Sequence, residues 1–321
     1  MHQFKDIAAL FEAQFKEVTF PASPTSLYDP CRSTISLGGK RIRPVSLLMA
    51  NEMFAGLSED AYHAAKAIEL FHNFSLIHDD IMDKAPLRRG LPTVAASHGE
   101  NTALLAGDVM LIRAYDALNL ISASYLSQAI SLFNITARQV CEGQQLDMEF
   151  EKRSDVSLKE YVHMISMKTS VLLAASLQLG AMLAGASQHN QDLIYAFGKN
   201  LGIAFQIQDD YLDAFGDPAK FGKQVGGDIL ANKKTFLLIH ALESANESQS
   251  KEIHLLLSGD MPNKVERMLR VYKDCGVDDW AHQLKESYAV KALQSLEEIA
   301  CSSNRKQPLE ELAAYLLQRD Y

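Results

Sequence analysis

Residues 76–93 read LIHDDIMDKAPLRRGLPT, with the carboxylates Asp79, Asp80 and Asp83 followed closely by the guanidiniums Arg88 and Arg89. The residues before them, 64–77, are good helix formers with apolar side chains at helical spacing. On that helix Asp79 and Asp83 share a face, with Asp80 beside them. Pro86 and Gly90 are expected to end the helix just after Asp83. Three acids thus crowd a C-terminal turn, where the helix dipole already disfavours negative charge. Repulsion and dipole both oppose this arrangement unless cations sit there. Hard oxygen ligands at this spacing suit Mg²⁺, which keeps waters and shares itself with phosphate oxygens. Alone, so short a motif reads as a solvated acidic helix end.

A second copy changes that reading. Residues 205–213, FQIQDDYLD, repeat the pattern with Asp209, Asp210 and Asp213. They too precede a breaker cluster, Phe215, Gly216, Asp217 and Pro218. Two such sites set against helix dipoles are a poor fit to surface decoration. Facing each other across a cavity, they would clamp a diphosphate through several Mg²⁺ ions.

Composition limits the alternatives. The chain has 321 residues, 47% of them hydrophobic, which is ample for a large core. Its net charge of −9 argues against a nucleic-acid surface. The four cysteines contain no CxxC pair, which fits a reducing, cytoplasmic compartment rather than a disulfide framework or zinc site. Residues 169–191 carry no formal charge and are long enough to span a membrane. Their Ser, Gln and Gly content makes a buried core helix the expected outcome, with no transmembrane segment.

Along the chain, Phe4, Ile7, Leu10, Phe11, Phe15 and Val18 fall on one face of an expected first helix. Pro21, Pro24 and Pro30 mark a loop, and helices dominate from Pro44 onward. The absence of proline between Thr93 and Asp217 permits long helices. No period-two pattern with turn dipeptides predicts a strand. Turns are expected at 260–262 and 274–279. The reading is all-α, with no domain boundary and no low-complexity segment.

Further residues carry charge in telling places. Residues 38–44, GGKRIRP, put Lys40, Arg41 and Arg43 after a glycine pair that lets backbone N–H groups approach an anion. This reads equally as a basic surface turn. His72 lies two helical turns before Asp79, on nearly the same face. Gly143, Gln144 and Asp147 sit in a helical stretch, as cavity lining or as helix packing. Lys168 and Thr169 stand at the edge of the uncharged helix, where a lysine can simply reach for water. Residues 222–235, GKQVGGDILANKKT, form a glycine loop bearing Lys223 and Lys233.

Taken together in this order, these motifs resemble the trans-isoprenyl diphosphate (polyprenyl) synthases, and the likeness covers nearly the whole chain. It implies a single domain over 1–321, a large helical bundle of the isoprenoid synthase type around a central cavity. It implies Mg²⁺-dependent condensation of isopentenyl diphosphate with an allylic diphosphate, with three ions bound beside the diphosphate. Asp79, Asp83 and Asp209 would ligate metal, supported by Asp80, Asp210 and Asp213. Gly39, Lys40, Arg43, His72 and Arg89 would hold isopentenyl diphosphate. Arg88 and Lys168 would hold the allylic partner, over which Lys223 and Lys233 would close. Thr169 and Gln206 would point oxygen dipoles at the reacting carbon. The resemblance also implies a homodimer. Phe74, five residues before Asp79, resembles the chain-length floor of short-chain enzymes. With the small Ser75 beside it, the expected product is geranylgeranyl or farnesyl diphosphate, the former favoured. The rival class I terpene cyclases normally mix Asn, Ser or Thr with Glu in their second metal motif. Non-catalytic subunits usually lose one aspartate motif, and this chain keeps both.

Overall fold

The structure is a computed structural model that describes residues 1–216, 226–259 and 261–318. Among the described residues helices account for nearly all regular structure. In order these are α1 (Phe4–Phe15), α2 (Thr25–Ser36), α3 (Ile42–Phe54) and α4 (Glu59–Met82), then α5 (Val94–His98), α6 (Glu100–Leu118), α7 (Ala123–Phe150), α8 (Leu158–Ile165), α9 (Val171–Leu183) and α10 (Gln188–Phe215). Further helices follow, the last two being Val277–Glu297 and Ser303–Leu317. The proline-free stretch holds the two 28-residue helices α7 and α10.

The contacts divide into two compact units. The first takes residues 1–136, 175–195 and 299–309, and the second 137–174, 196–298 and 310–321. Neither is a continuous stretch of chain, so no linker marks a boundary in the sequence.

In the first unit α1 buries Ile7, Phe11 and Phe15 but leaves Leu10 40% exposed, so the apolar face is narrower than its pattern suggests. Ser58 caps α4 by accepting from the Ala61 N–H, and Glu59 and Asp60 suit the positive end of the helix dipole. α4 buries Ala61, Ala64, Ala65, Ile68 and Phe71, and packs along α6. It ends at Met82 with Asp83 as C-cap, ahead of Pro86 as expected. A small hairpin follows, which the strand-free reading did not foresee. Leu87–Arg88 (β1) pairs antiparallel with Leu91–Pro92 (β2). Arg89 and Gly90 both adopt positive φ, 53° and 77°, the geometry of the tight turn that closes two-residue hairpins. Two residues per strand are too few to show a period.

The apolar stretch proves to be a core helix. The continuous helical span Leu158–Leu183 is apolar enough to cross a membrane, but 83% of its apolar window is buried inside the protein. It starts earlier than expected, at Leu158, where Ser157 and Glu160 form a capping box. Midway it loosens into a π turn, Ser166–Ser170. Lys168 and Thr169 therefore sit within the helix, and not ahead of it. Asp217 and Pro218 of the second breaker cluster, Gly222 and Lys223 of the glycine loop, and Asp260 lie outside the described residues.

Candidate active site

The cationic side of the first unit is built where the loop before α3 meets the β1–β2 turn. Gly38 has φ +69° and Arg41 φ +48°, so this loop turns through left-handed backbone twice before α3 begins. The Arg89 guanidinium donates to the Gly38 carbonyl. It also lies across the Cα of Gly39, where an added Cβ would meet it at 3.1 Å. Glycine lets the guanidinium lie this close without shifting. The Arg43 guanidinium donates to His72 Nε2 at 3.2 Å. Burial, then the charges of Arg43, Arg89, Arg88 and Arg41, push the His72 imidazolium well below its usual pKa. A neutral ring with Nε2 as acceptor follows, which leaves Nδ1–H as a donor. Arg43 Nε is buried with no partner. A guanidinium buried with a donor unsatisfied, among other cations, fits an anion. Lys40 is exposed beside this cluster.

Arg41, from the same run of cations, goes elsewhere. Its side chain is only 3% exposed and is held by Glu12 and Glu69.

The three acids of α4 have separate roles. Asp79 is half-buried and Asp83 exposed. Asp80 turns inward, 5% exposed, and accepts Arg88 Nε on both oxygens at 2.9 Å, with NH2 at 2.7 Å. Arg88 is thus tied to an acid, where the sequence reading left both guanidiniums to phosphate. Phe74 is half-buried, its ring 4.6 Å from His78 and 5.5 Å from Phe71. Ser75 spends its hydroxyl on the His72 carbonyl at 2.9 Å. His78 hydrogen-bonds the Leu104 carbonyl at 3.1 Å, over Gly107, where any side chain would strike its ring.

The second unit carries the other motif on α10. Asp210 is 8% exposed and accepts from the Tyr161 hydroxyl and from Gln206 Nε2, the latter at 2.8 Å. The Thr169 hydroxyl donates to Gln206 Oε1 at 3.1 Å. One chain of donors therefore runs from Thr169 through Gln206 to Asp210, and both ends agree on how the amide is turned. Burial and the nearby Asp228 raise Asp210 to about 8. Asp209 is half-buried on the same turn. Asp213 accepts the Asp228 N–H at 2.9 Å and so holds the start of Gly227–Leu230.

Lys168 donates to Asp147 at 2.5 Å. Gly143, one helical turn before Asp147, packs directly on the backbone of Met167 and Lys168, where a Cβ would collide. A Cβ added to Gly202 of α10 would likewise come within 2.8 Å of Ser170. Of the two readings of Gly143, close packing is the one this geometry supports. The π turn lies in these two glycine contacts, and such bulges gather at functional sites. Gln144 is buried with neither amide atom bonded. Lys233 is 3.3 Å from Asp228. Burial works against its charge, but Asp228 and Asp147 raise its pKa.

Sequence reasoning missed Tyr161, Asp228 and Glu69. Tyr161 follows the Ser157 capping box by one turn, which places it on a helix but names no partner. Glu69 offered a better signal, an acid set among the apolar residues Ala65, Ile68, Leu70 and Phe71 of α4.

Among the described residues no three His, Cys, Asp or Glu side chains converge as a metal cage. The donors the two motifs do offer, Asp79 and Asp83 at the end of α4 and Asp209 on α10, are hard oxygens of the kind Mg²⁺ shares with water and phosphate. The buried Asp210, holding its proton unusually tightly, is a group a divalent cation would ionise.

The polyprenyl synthetase family model matches residues 24–275. The geranylgeranyl diphosphate synthase of Sulfolobus acidocaldarius is 39% identical over 91% of this chain and 91% of its own. The geranylfarnesyl diphosphate synthase of Natronomonas pharaonis is 34% identical over 93% of this chain and 91% of its own. A crystal structure of a geranylgeranyl pyrophosphate synthase superposes with a TM-score of 0.94 at 41% identity, covering 99% of both chains. Likeness at this identity across the whole length, with both aspartate motifs in place, makes this chain a trans-prenyltransferase of the polyprenyl synthetase family.

Proposed function

We propose that this enzyme joins isopentenyl diphosphate to an allylic diphosphate and releases geranylgeranyl diphosphate. The observation that carries the two-diphosphate reading is the Arg43–His72–Arg89 cluster, with its unpartnered Arg43 Nε. A cyclase acting on one diphosphate has no use for a second cationic cradle. The names of the relatives support a geranylgeranyl product.

Lys40, Arg43, His72 and Arg89 bind isopentenyl diphosphate. Arg88, Lys168, Lys223 and Lys233 bind the allylic diphosphate. Asp79, Asp83 and Asp209 would hold Mg²⁺, three ions in all, which would draw charge from the leaving diphosphate. Asp80 supports this by fixing Arg88, Asp210 by fixing Gln206, and Asp213 by anchoring Asp228. The allylic C–O bond breaks, its electron pair leaving with the diphosphate. The isopentenyl double bond attacks the cation, and a proton then passes to the departed diphosphate. The Thr169 hydroxyl gives its proton to Gln206, so its lone pairs stay free to face positive charge at the reacting carbon. The four free cysteines support a reducing, cytoplasmic setting.

Substrate titrations test the two roles. Arg43→Ala loses a charge-assisted contact worth about 1.5–3 kcal/mol, so KM for isopentenyl diphosphate should rise about 10- to 100-fold. KM for the allylic partner should stay nearly constant. Lys168→Ala should show the reverse. Equal shifts for both substrates in both variants would defeat the assignment, and no turnover in the wild-type protein alone would favour a non-catalytic subunit.

The same reading includes a homodimer. Leu104, Leu105, Ile112 and Tyr115 of α6 and Ile135 of α7 are all exposed apolar side chains. Covering them with a second copy removes them from water. Light scattering should give twice 35.6 kDa, and Ile112→Glu should halve it. A wild-type monomer at assay concentration would refute the dimer.

A further inference from the structure

Arg41 sits in the middle of the cationic loop yet faces away from it. Its Nε donates to Glu12 at 2.6 Å, NH1 donates to Glu69, and NH2 donates to the Ile35 carbonyl at 3.1 Å. The guanidinium lies 4.9 Å from the centre of the Phe15 ring. Each of its three nitrogens donates to the protein, and the side chain is only 3% exposed, which withdraws it from substrate. Glu69, 5% exposed at its side chain, accepts from Arg41 and, at 3.3 Å, from Asn73 Nδ2. Burial pushes the Glu69 carboxyl up, and Arg41 pulls it back. The Glu69 charge also attracts Arg43 and Arg89. A buried carboxylate is thus within electrostatic reach of two guanidiniums that the anion site needs, and Arg41 is the cation paired with it.

We infer that Arg41 is a positioning residue that occupies Glu69 and so leaves Arg43 and Arg89 free for isopentenyl diphosphate. Its backbone is left-handed, φ +48°, and its side chain turns inward while Arg43, two residues on, meets His72. A non-glycine residue in this conformation persists only where its surroundings hold it, and the Glu12 and Glu69 contacts do so. Without Arg41, Glu69 becomes a buried, uncompensated charge. The Glu69 charge already acts on Arg43, whose Nε has no partner and can turn to it.

This inference rests on the assignment of Arg43 to isopentenyl diphosphate, and the experiment separates the two. KM for each substrate and kcat are measured for wild type, Arg43→Ala, Arg41→Gln and Arg41→Gln/Glu69→Gln. Arg41→Gln should raise KM for isopentenyl diphosphate about tenfold, with little change in the allylic KM. The double variant has no buried unpaired charge and should recover most of that loss, even where its melting temperature stays low. A purely structural role would lower stability in both variants and move both KM values alike. The inference fails if the double variant binds isopentenyl diphosphate as poorly as Arg41→Gln, or if Arg41→Gln binds it normally. Should Arg41→Gln not fold, Arg41→Lys replaces it, with the same rescue by Glu69→Gln required. An Arg43→Ala variant with unchanged saturation overturns the site assignment instead.

Discussion

Asp79→Ala and Asp209→Ala should each lower turnover about a thousandfold at saturating Mg²⁺, the equivalent of losing roughly 4 kcal/mol of transition-state stabilisation. Each acid sits in the last two turns of its helix, where the dipole opposes negative charge. Under the proposed function, Mg²⁺ bound at these acids would offset the repulsion among them. The neighbouring acids differ. Asp80 is spent on Arg88 and Asp210 on Tyr161 and Gln206. Their replacement should act through the positions of those partners. Removing Mg²⁺ with a chelator should abolish turnover, and adding it back should restore the wild type but neither alanine variant. Near-normal rates in either variant would show that its motif does not hold catalytic metal.

Phe74→Ala should shift the main product to chains longer than geranylgeranyl diphosphate. Phe74 lies five residues before Asp79, about 7.5 Å behind it along the helix axis. Side chains tilt toward the helix N-terminus, so under the proposed function a chain growing away from the metal would run toward this ring. Replacing the phenyl group by a methyl deletes six ring carbons, room for about one more isoprene unit. The ring is half-buried against Phe71 and His78, so the variant should lose less than the about 3–5 kcal/mol typical of a core phenylalanine. Chromatography of the dephosphorylated products decides the matter. A folded, active variant with an unchanged product distribution would leave Phe74 as packing only.

Much of this protein was legible from local pattern. Helix periods, proline placement and the two aspartate repeats gave the all-α class, and Pro86 marked the end of α4 to within a few residues. The cationic loop at 38–44 stood out by its glycine pair and three cations, although that pattern alone reads equally as a basic surface turn. The apolar helix was read as core because its Ser, Gln and Gly weaken it as a membrane span. The errors were equally local. Leu10 matched the apolar face of α1 but points outward, since period alone does not fix how wide a face is covered. The β1–β2 hairpin depends on Arg89 taking a left-handed conformation, which nothing in its side chain requires.

The sequence by itself determined the helices, the residue types available to bind diphosphate and metal, and their order along the chain. Backbone propensity and side-chain spacing act over a few residues, and those features are set at that range. Only the tertiary structure decided which charge meets which. Arg41 pairs with Glu69 and Arg43 with His72, though the two arginines are two positions apart and share the same flanking glycines. Lys168 reaches Asp147 because Gly143 lets α7 touch the backbone of the π turn. The partners in these pairs are 21 to 29 residues apart. A buried ion or hydrogen-bond pair forms only where packing removes water and brings both groups together, and no local rule of sequence carries that information.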